Sequence, residues 1–296
     1  MHSDFTKLKI DGYNVTEIHQ NYNCGAKHNL HLASANGFSV GCYSEFISSF
    51  SQPFSVTATD NRGAWPDHPA PQRNFTTKSF ALDLICNIER LYSDPIIGMG
   101  HSHGGVVMSQ AALLRPDLFK AVVIIDGATV PNRWVHPILR SLPTALVLKL
   151  FPFVRNSHQR QRIWNSREEF ITRYQDHRTF KTFTPQAFKD YAIYGLRQRP
   201  SGDFELSFAP YWESHIFRSV GYLWSLLSNA QVPTLLIRAE HSNMYSQEQF
   251  DRRNQSLPKA VTPVTINGAG HLIPFETPQP LAGLITHWVE HDLGTR

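Results

Sequence analysis

Strand rhythm and helix rhythm alternate along most of this chain. Residues 5–25 alternate apolar and polar positions, with Asp11-Gly12 at a hairpin turn and Val15 and Ile18 on the next run. Residues 29–33, with Leu30 and Leu32, predict a short strand that empties into the small-residue loop Ser34-Ala35-Asn36-Gly37-Phe38. A second strand is expected over 54–60, ending in Asp60-Asn61-Arg62-Gly63. Residues 78–92 carry Leu82, Leu84, Ile85, Ile88 and Leu91 at helical spacing. The run Pro95, Ile96, Ile97 predicts a strand, and 106–114 a helix stopped at Arg115-Pro116. Residues 121–125 are continuously apolar and mostly β-branched, as in a strand covered on both faces, and end at Asp126-Gly127. Strand rhythm then lapses over 130–230, which is mostly helical in pattern and rich in Phe, Trp, Tyr and Arg. It resumes at 233–238, followed by a helical stretch over 246–257 and a last strand over 261–266. The loop Asn267-Gly268-Ala269-Gly270-His271 comes next, then a closing amphipathic helix over 278–293 (Leu281, Leu284, Ile285, Trp288, Val289).

This order predicts one α/β domain made of residues 1–129 and 231–296, interrupted by a helical insertion over 130–230. The alternation implies a mostly parallel sheet with helices on both faces, in which ligands bind beyond the carboxyl ends of the strands. Ser102, Asp126 and His271 all fall at such ends, as do the loops after Ala33, Asp60 and Arg238.

The chemistry centres on Gly98-Met99-Gly100-His101-Ser102-His103-Gly104-Gly105. A strand running into Gly-x-Ser-x-Gly and then a helix is the nucleophile-elbow pattern. The serine must sit on a sharp turn, so the positions two before and two after it, Gly100 and Gly104, leave no room for side chains. The following helix aims its free N–H groups at any negative charge that develops near the hydroxyl.

Charge and cysteine content narrow the class. The balance of 28 Lys/Arg against 24 Asp/Glu gives +4, too mild to imply nucleic acid. The charge is uneven, because residues 130–230 hold 14 Lys/Arg and 7 Asp/Glu. That excess is either a solvated basic surface or a lid that attracts anionic substrates or an anionic surface. Cys24, Cys42 and Cys86 are odd in number and lack Cys-x-x-Cys spacing, which fits a reducing compartment. The first residues carry no apolar signal core, and the most apolar run of the insertion, 142–154, is broken by Pro143, Lys149 and Pro152. A cytoplasmic protein without a membrane span is therefore expected.

These residues together resemble the α/β-hydrolase fold superfamily over nearly the whole chain, with 130–230 in the position of its cap. The order Ser…acid…His is that of the superfamily. The loop Ser34–Phe38 is similar to its oxyanion loop, with Ser34 where histidine is usual. Asp60-Asn61-Arg62-Gly63 resembles its Asp-x-Arg-Gly turn, expected to stabilise the loop at the strand end. Gly268-Ala269-Gly270-His271 with Pro274, Glu276 and Pro278 resembles its catalytic-histidine segment. The resemblance implies a serine hydrolase that cleaves a carboxylic ester or related acyl bond of a small apolar or acyl substrate, with no cofactor. Ser102 would attack, His271 would act as base, and the backbone N–H groups of His103 and of Phe38 or a neighbour in its loop would form the oxyanion hole. Three residues compete for the acid. Asp126 ends the strand after the elbow strand, Asn243 fills the position where the superfamily usually has aspartate, and Glu240 lies beside it in Arg238-Ala239-Glu240-His241-Ser242-Asn243. His101 and His103 offer only two nitrogens to a metal and are expected to pack, and Cys42 is expected to be a small buried residue. The aromatics Phe151, Phe153, Trp164, Phe170, Tyr174, Trp212 and Trp224 are expected to form the insertion's core, some of them lining an apolar pocket above Ser102. The alternative, motivated by Asn243 and Ser34, is a non-catalytic ligand-binding or receptor protein on the same scaffold.

Overall fold

Strands of six to ten residues build one large sheet. They are β1 (Asp4–Ile10), β2 (Tyr13–Gln20), β3 (His28–Ala33), β4 (Phe54–Thr59), β5 (Ile96–His101) and β6 (Phe119–Ile125), joined after the insertion by β10 (Thr234–His241) and β11 (Val261–Gly270). The insertion supplies β7 (Ile163–Trp164), β8 (Leu196–Gln198) and β9 (Phe204–Leu206). The computed structural model describes residues 4–10, 13–20, 25–66 and 69–293, so the expected Asp11-Gly12 turn and Cys24 lie outside the described residues. The sheet order is β1-β2-β4-β3-β5-β6-β10-β11. The first two pairings, β1 with β2 and β2 with β4, are antiparallel, and the others are parallel.

Period-two alternation sends successive side chains of each strand to opposite faces. In β6, Ala121, Val123 and Ile125 join Leu30, Leu32, Ile97, Met99, Leu235 and Ile237 in one buried cluster. Val122 and Ile124 join Ile96 and Leu236 in the other, under the helices Thr77–Leu91 and His103–Leu114. Burial on both faces explains why residues 121–125 of β6 read as an unbroken apolar run.

Two elements differ from expectation. The stretch 267–270, expected as loop, continues β11 to Gly270, and a register shift between Ala239 and His241 absorbs the change of path. The Glu240 carboxylate accepts the Gly268 N–H at 2.7 Å there, with Gly268 at φ +72°. The insertion holds a small antiparallel sheet, β7-β9-β8, besides its helices. Glu205 of β9 faces Ile163 and Arg197 across the ladder and pairs with both Arg162 and Arg197.

Candidate active site

The elbow is built by exclusion of volume. A Cβ on Gly100 would overlap the Gly104 carbonyl, and one on Gly104 would overlap the Ala33 carbonyl of β3. With that space, Ser102 takes φ +53°, ψ −116° and is pinned on three sides. Its N–H donates to Ile125 O, and its carbonyl accepts from Gly105 and Ala128, each at 3.0 Å. Asp126, just past β6, is also left-handed, at φ +40°. Each such non-glycine residue stores ~1–3 kcal/mol that the surrounding packing must offset.

Ser102, His271 and Asp126 lie in one hydrogen-bonded line. His271 Nε2 is 2.9 Å from Ser102 Oγ, and His271 Nδ1 is 2.6 Å from Asp126 Oδ2. The Asp126 carboxylate is wholly buried and also accepts from Ala239 N–H (3.0 Å) and Ser242 Oγ (2.7 Å). With two acceptor positions filled by these donors, it is set to receive Nδ1–H from His271, which leaves the Nε2 lone pair facing the serine. The other two acid candidates do not reach the ring. Asn243 is exposed and makes no side-chain hydrogen bond among the described residues. Glu240 holds the Gly268 amide instead.

The His271 loop is clamped by residues whose part the motifs did not disclose. Glu276 accepts from the amides on either side of the histidine, Gly270 at 2.7 Å and Leu272 at 3.2 Å. His101 Nε2 donates to the His271 carbonyl at 2.9 Å, and its Nδ1 is 2.8 Å from Tyr43 Oη, which itself accepts from Ala35 N–H at 2.9 Å. Burial pulls the His101 imidazole down to about 3, so the ring is neutral and Tyr43 must donate to it. A buried chain of hydrogen bonds thereby ties the Ser34–Phe38 loop to the loop of His271. Ser242 and Glu276 lie inside segments that carried a resemblance, but nothing local marks Tyr43.

The Phe38 amide, one candidate donor of the oxyanion hole, closes a turn. Gly37 at φ +87° makes Ala35–Phe38 a type II turn, so the Phe38 N–H returns to Ala35 O at 3.4 Å. Among the described residues the Asn36 and Gly37 amides have no acceptor, and the His103 N–H opens its helix without one. The Phe38 ring stacks on Phe275 at 4.8 Å.

The remaining candidates are structural in their contacts. His103 is wholly buried against Phe80, and burial pulls it down to about 3. Burial pushes the Cys42 thiol up to about 12, far from a nucleophilic thiolate. Asp60 accepts the Val40 N–H at 2.7 Å, holding the segment beyond the oxyanion loop, and Arg62 pairs with Asp83 at 2.6 Å. Trp164, Phe170 and Tyr174 pack on one another within the insertion, whereas Trp212 packs on Phe75 and Phe80 of the main domain. A cavity of about 780 Å³ beside Asp60 has a mixed wall, with Ser39, Arg197 and Glu205 beside Val15, Ala64 and Ile163; neither Ser102 nor His271 lines it.

A sheet of this order, with a serine elbow after β5 and a histidine after the last strand, defines a hydrolase class. Residues 32–284 match the model of the Alpha/beta hydrolase family, and the chain belongs to that family. The uncharacterized hydrolase YugF of Bacillus subtilis (strain 168) is 24% identical over 291 residues, covering 97% of this chain and 98% of that protein. The Karrikin insensitive 2 receptor IA of Petunia hybrida is 30% identical over 80 residues. That match covers 26% of this chain and 29% of the receptor, so this chain spans less than a third of that relative. The solved structure of E-2-(acetamidomethylene)succinate hydrolase has a TM-score of 0.77 at 17% identity, covering 98% of this chain and 100% of that one. That likeness is one of fold.

Proposed function

We propose that the protein is a serine hydrolase that cleaves a carboxylic ester or related acyl bond through a covalent Ser102 acyl-enzyme. One observation carries the reading: the unbroken line Ser102–His271–Asp126 at 2.9 and 2.6 Å on a strained elbow. A serine hydroxyl is a weak nucleophile and needs a base within hydrogen-bond reach, here His271 Nε2. As Ser102 Oγ attacks the acyl carbon, its proton passes to Nε2, and the buried Asp126 carboxylate stabilises the imidazolium that forms. The developing oxyanion would be met by His103 N–H and an amide of the Asn36-Gly37 pair. His271 then returns the proton to the leaving group, and water repeats the sequence to release the acid.

Residues 130–230 act in this reading as a cap that orders the site. Asn36 Nδ2 donates to Glu213 O and Ser39 Oγ to Tyr194 O, while Thr184 N–H donates to Phe275 O. The insertion thus grips both the oxyanion loop and the segment after His271.

Intact-mass analysis after a fluorophosphonate probe tests the reading. One adduct is expected, lost in Ser102→Ala and slowed in His271→Ala. Unlabelled wild-type protein, folded by its thermal melt, would replace the enzyme reading with that of a ligand-binding protein on the same scaffold.

A further inference from the structure

The insertion's first three helices, Val135–Ser141, Thr144–Leu150 and Pro152–His158, turn an apolar face outward. Their inward positions Leu139, Val147 and Val154 are buried. Yet Trp134 is 64% exposed, Ile138 56%, Leu150 55% and Phe153 51%, with Leu146 exposed beside them. Trp134 and Ile138, like Leu146 and Leu150, are four residues apart and so share a helix side. Single exposed apolar residues are ordinary, but five large ones within twenty residues signal an interaction surface. These helices are anchored: Arg218 donates to the carbonyls of Leu139 and Leu142 and to Thr144 Oγ1. The outward face is therefore a property of the packed structure.

Charge identifies what the face meets. Between Asp126 and Glu168 there is no carboxylate, while Arg133, Arg140, Lys149, Arg155, Arg160, Arg162 and Arg167 all fall in that stretch. Arg160 and Arg162 are spent on Glu213 and Glu205. Arg133, Arg140, Lys149 and Arg155 belong to no ion pair among the described residues. Two copies meeting through this face would set like charges against each other with no carboxylate between them. Apolar tips including a tryptophan, flanked by Arg and Lys that can extend to phosphate level, match a lipid interface. Among the described residues no helix is long and apolar enough to cross a membrane, so the contact is peripheral. We infer that residues 133–155 dock this protein on the surface of an anionic lipid bilayer, with Trp134, Ile138, Leu150 and Phe153 entering the headgroup region.

The test is sedimentation with sucrose-loaded vesicles, either phosphatidylcholine alone or phosphatidylcholine with phosphatidylglycerol. Binding is read without turnover, so it is independent of the acyl-transfer reading. Wild type should partition onto the phosphatidylglycerol vesicles and come off as salt rises. Lys149→Gln with Arg155→Gln should weaken partition by roughly 25-fold, about fivefold for each cation removed. Ile138→Ser/Leu150→Ser/Phe153→Ser should abolish it at an unchanged melting temperature. Should that variant unfold, brominated lipid provides the second readout: it should quench tryptophan fluorescence in wild type and much less in Trp134→Phe. Equal partition onto both vesicle types would overturn the inference. So would absence of binding, or a concentration-dependent dimer that the triple serine variant loses.

Discussion

Replacing Asp126 by asparagine keeps the shape of the site and removes what orients His271. The aspartate accepts three donors: Ala239 N–H on Oδ1, and Ser242 Oγ–H and His271 Nδ1 on Oδ2. Asparagine has one acceptor oxygen and one NH₂ group, so two placements are available. If its oxygen stays with Ala239, the NH₂ faces His271, whose Nδ1 must then accept. The ring proton moves to Nε2 and points at Ser102 Oγ, and the base cannot take up the serine proton. If the amide flips, the ring keeps its tautomer but NH₂ meets the buried Ala239 N–H, an unsatisfied-donor conflict costing ~1–3 kcal/mol. The first placement avoids that conflict and dominates. Loss of the correct tautomer and of the counter-charge costs ~10⁴ in kcat, or about 5 kcal/mol of transition-state stabilisation. The assay is the rate of fluorophosphonate labelling of Ser102, with hydrolysis of a p-nitrophenyl ester beside it. Glu240→Gln and Asn243→Ala are the controls and should stay within a few-fold of wild type, since neither side chain reaches the ring. Labelling by Asp126→Asn within tenfold of wild type, or abolition of labelling by Asn243→Ala, would refute the assignment.

Three further perturbations probe the scaffold. Wholly buried His31, His101 and His103 are pulled by burial down to about 4, about 3 and about 3, so below the ordinary value of about 6.5 the unfolded chain takes up protons the folded protein refuses. Asp60, pushed up to about 7 by burial, acts in the opposite sense, because the folded protein keeps a proton the unfolded chain has shed. Burial also lowers His28, His136 and His215, so the histidines outweigh Asp60 and stability should fall as pH drops from about 6.5 toward 4; urea melts at pH 7, 6 and 5 check this, and a level midpoint would contradict it. Gly104→Ala forces a methyl onto the Ala33 carbonyl and should cost at least ~3 kcal/mol and abolish Ser102 labelling, whereas Gly283→Ala, with open space in a helix, should stabilise by ~0.5–1 kcal/mol in thermal melts. Tyr43→Phe leaves the Ala35 N–H and His101 Nδ1 without partners in the core; about 3 kcal/mol of stability should be lost and labelling slowed, and a variant matching wild type in both would break the proposed link between the two loops.

What could be read from the chain follows from how far apart the cooperating residues lie. Ser102 was legible because its strain is resolved locally, by Gly100 and Gly104 two residues away, and His271 because Gly268 and Gly270 mark its loop. Asp126 could be named only as one of three acids. Its neighbours Ala239, Ser242 and His271 lie more than a hundred residues downstream, and nothing at position 126 announces them. The Tyr43–His101 bond was invisible for the same reason, since a tyrosine in an apolar helix start reads as core. The direction of the Phe38 amide has a local cause. Asn-Gly in the middle of Ser34–Phe38 is a turn signal that directs the amide two residues after the asparagine back to Ala35. The small sheet of the insertion was missed because strands of two and three residues are too short for alternation to stand out; Glu205 ion pairs accompany their ladder. The proposed reaction draws on both kinds of residue. The group that would attack is set by neighbours in sequence, whereas the groups that aim and charge-balance its base converge through the sheet order, where β10 and β11 bring Ser242 and His271 beside the end of β6. A change to that pairing, even far from Ser102, should therefore act first on the base rather than on the nucleophile.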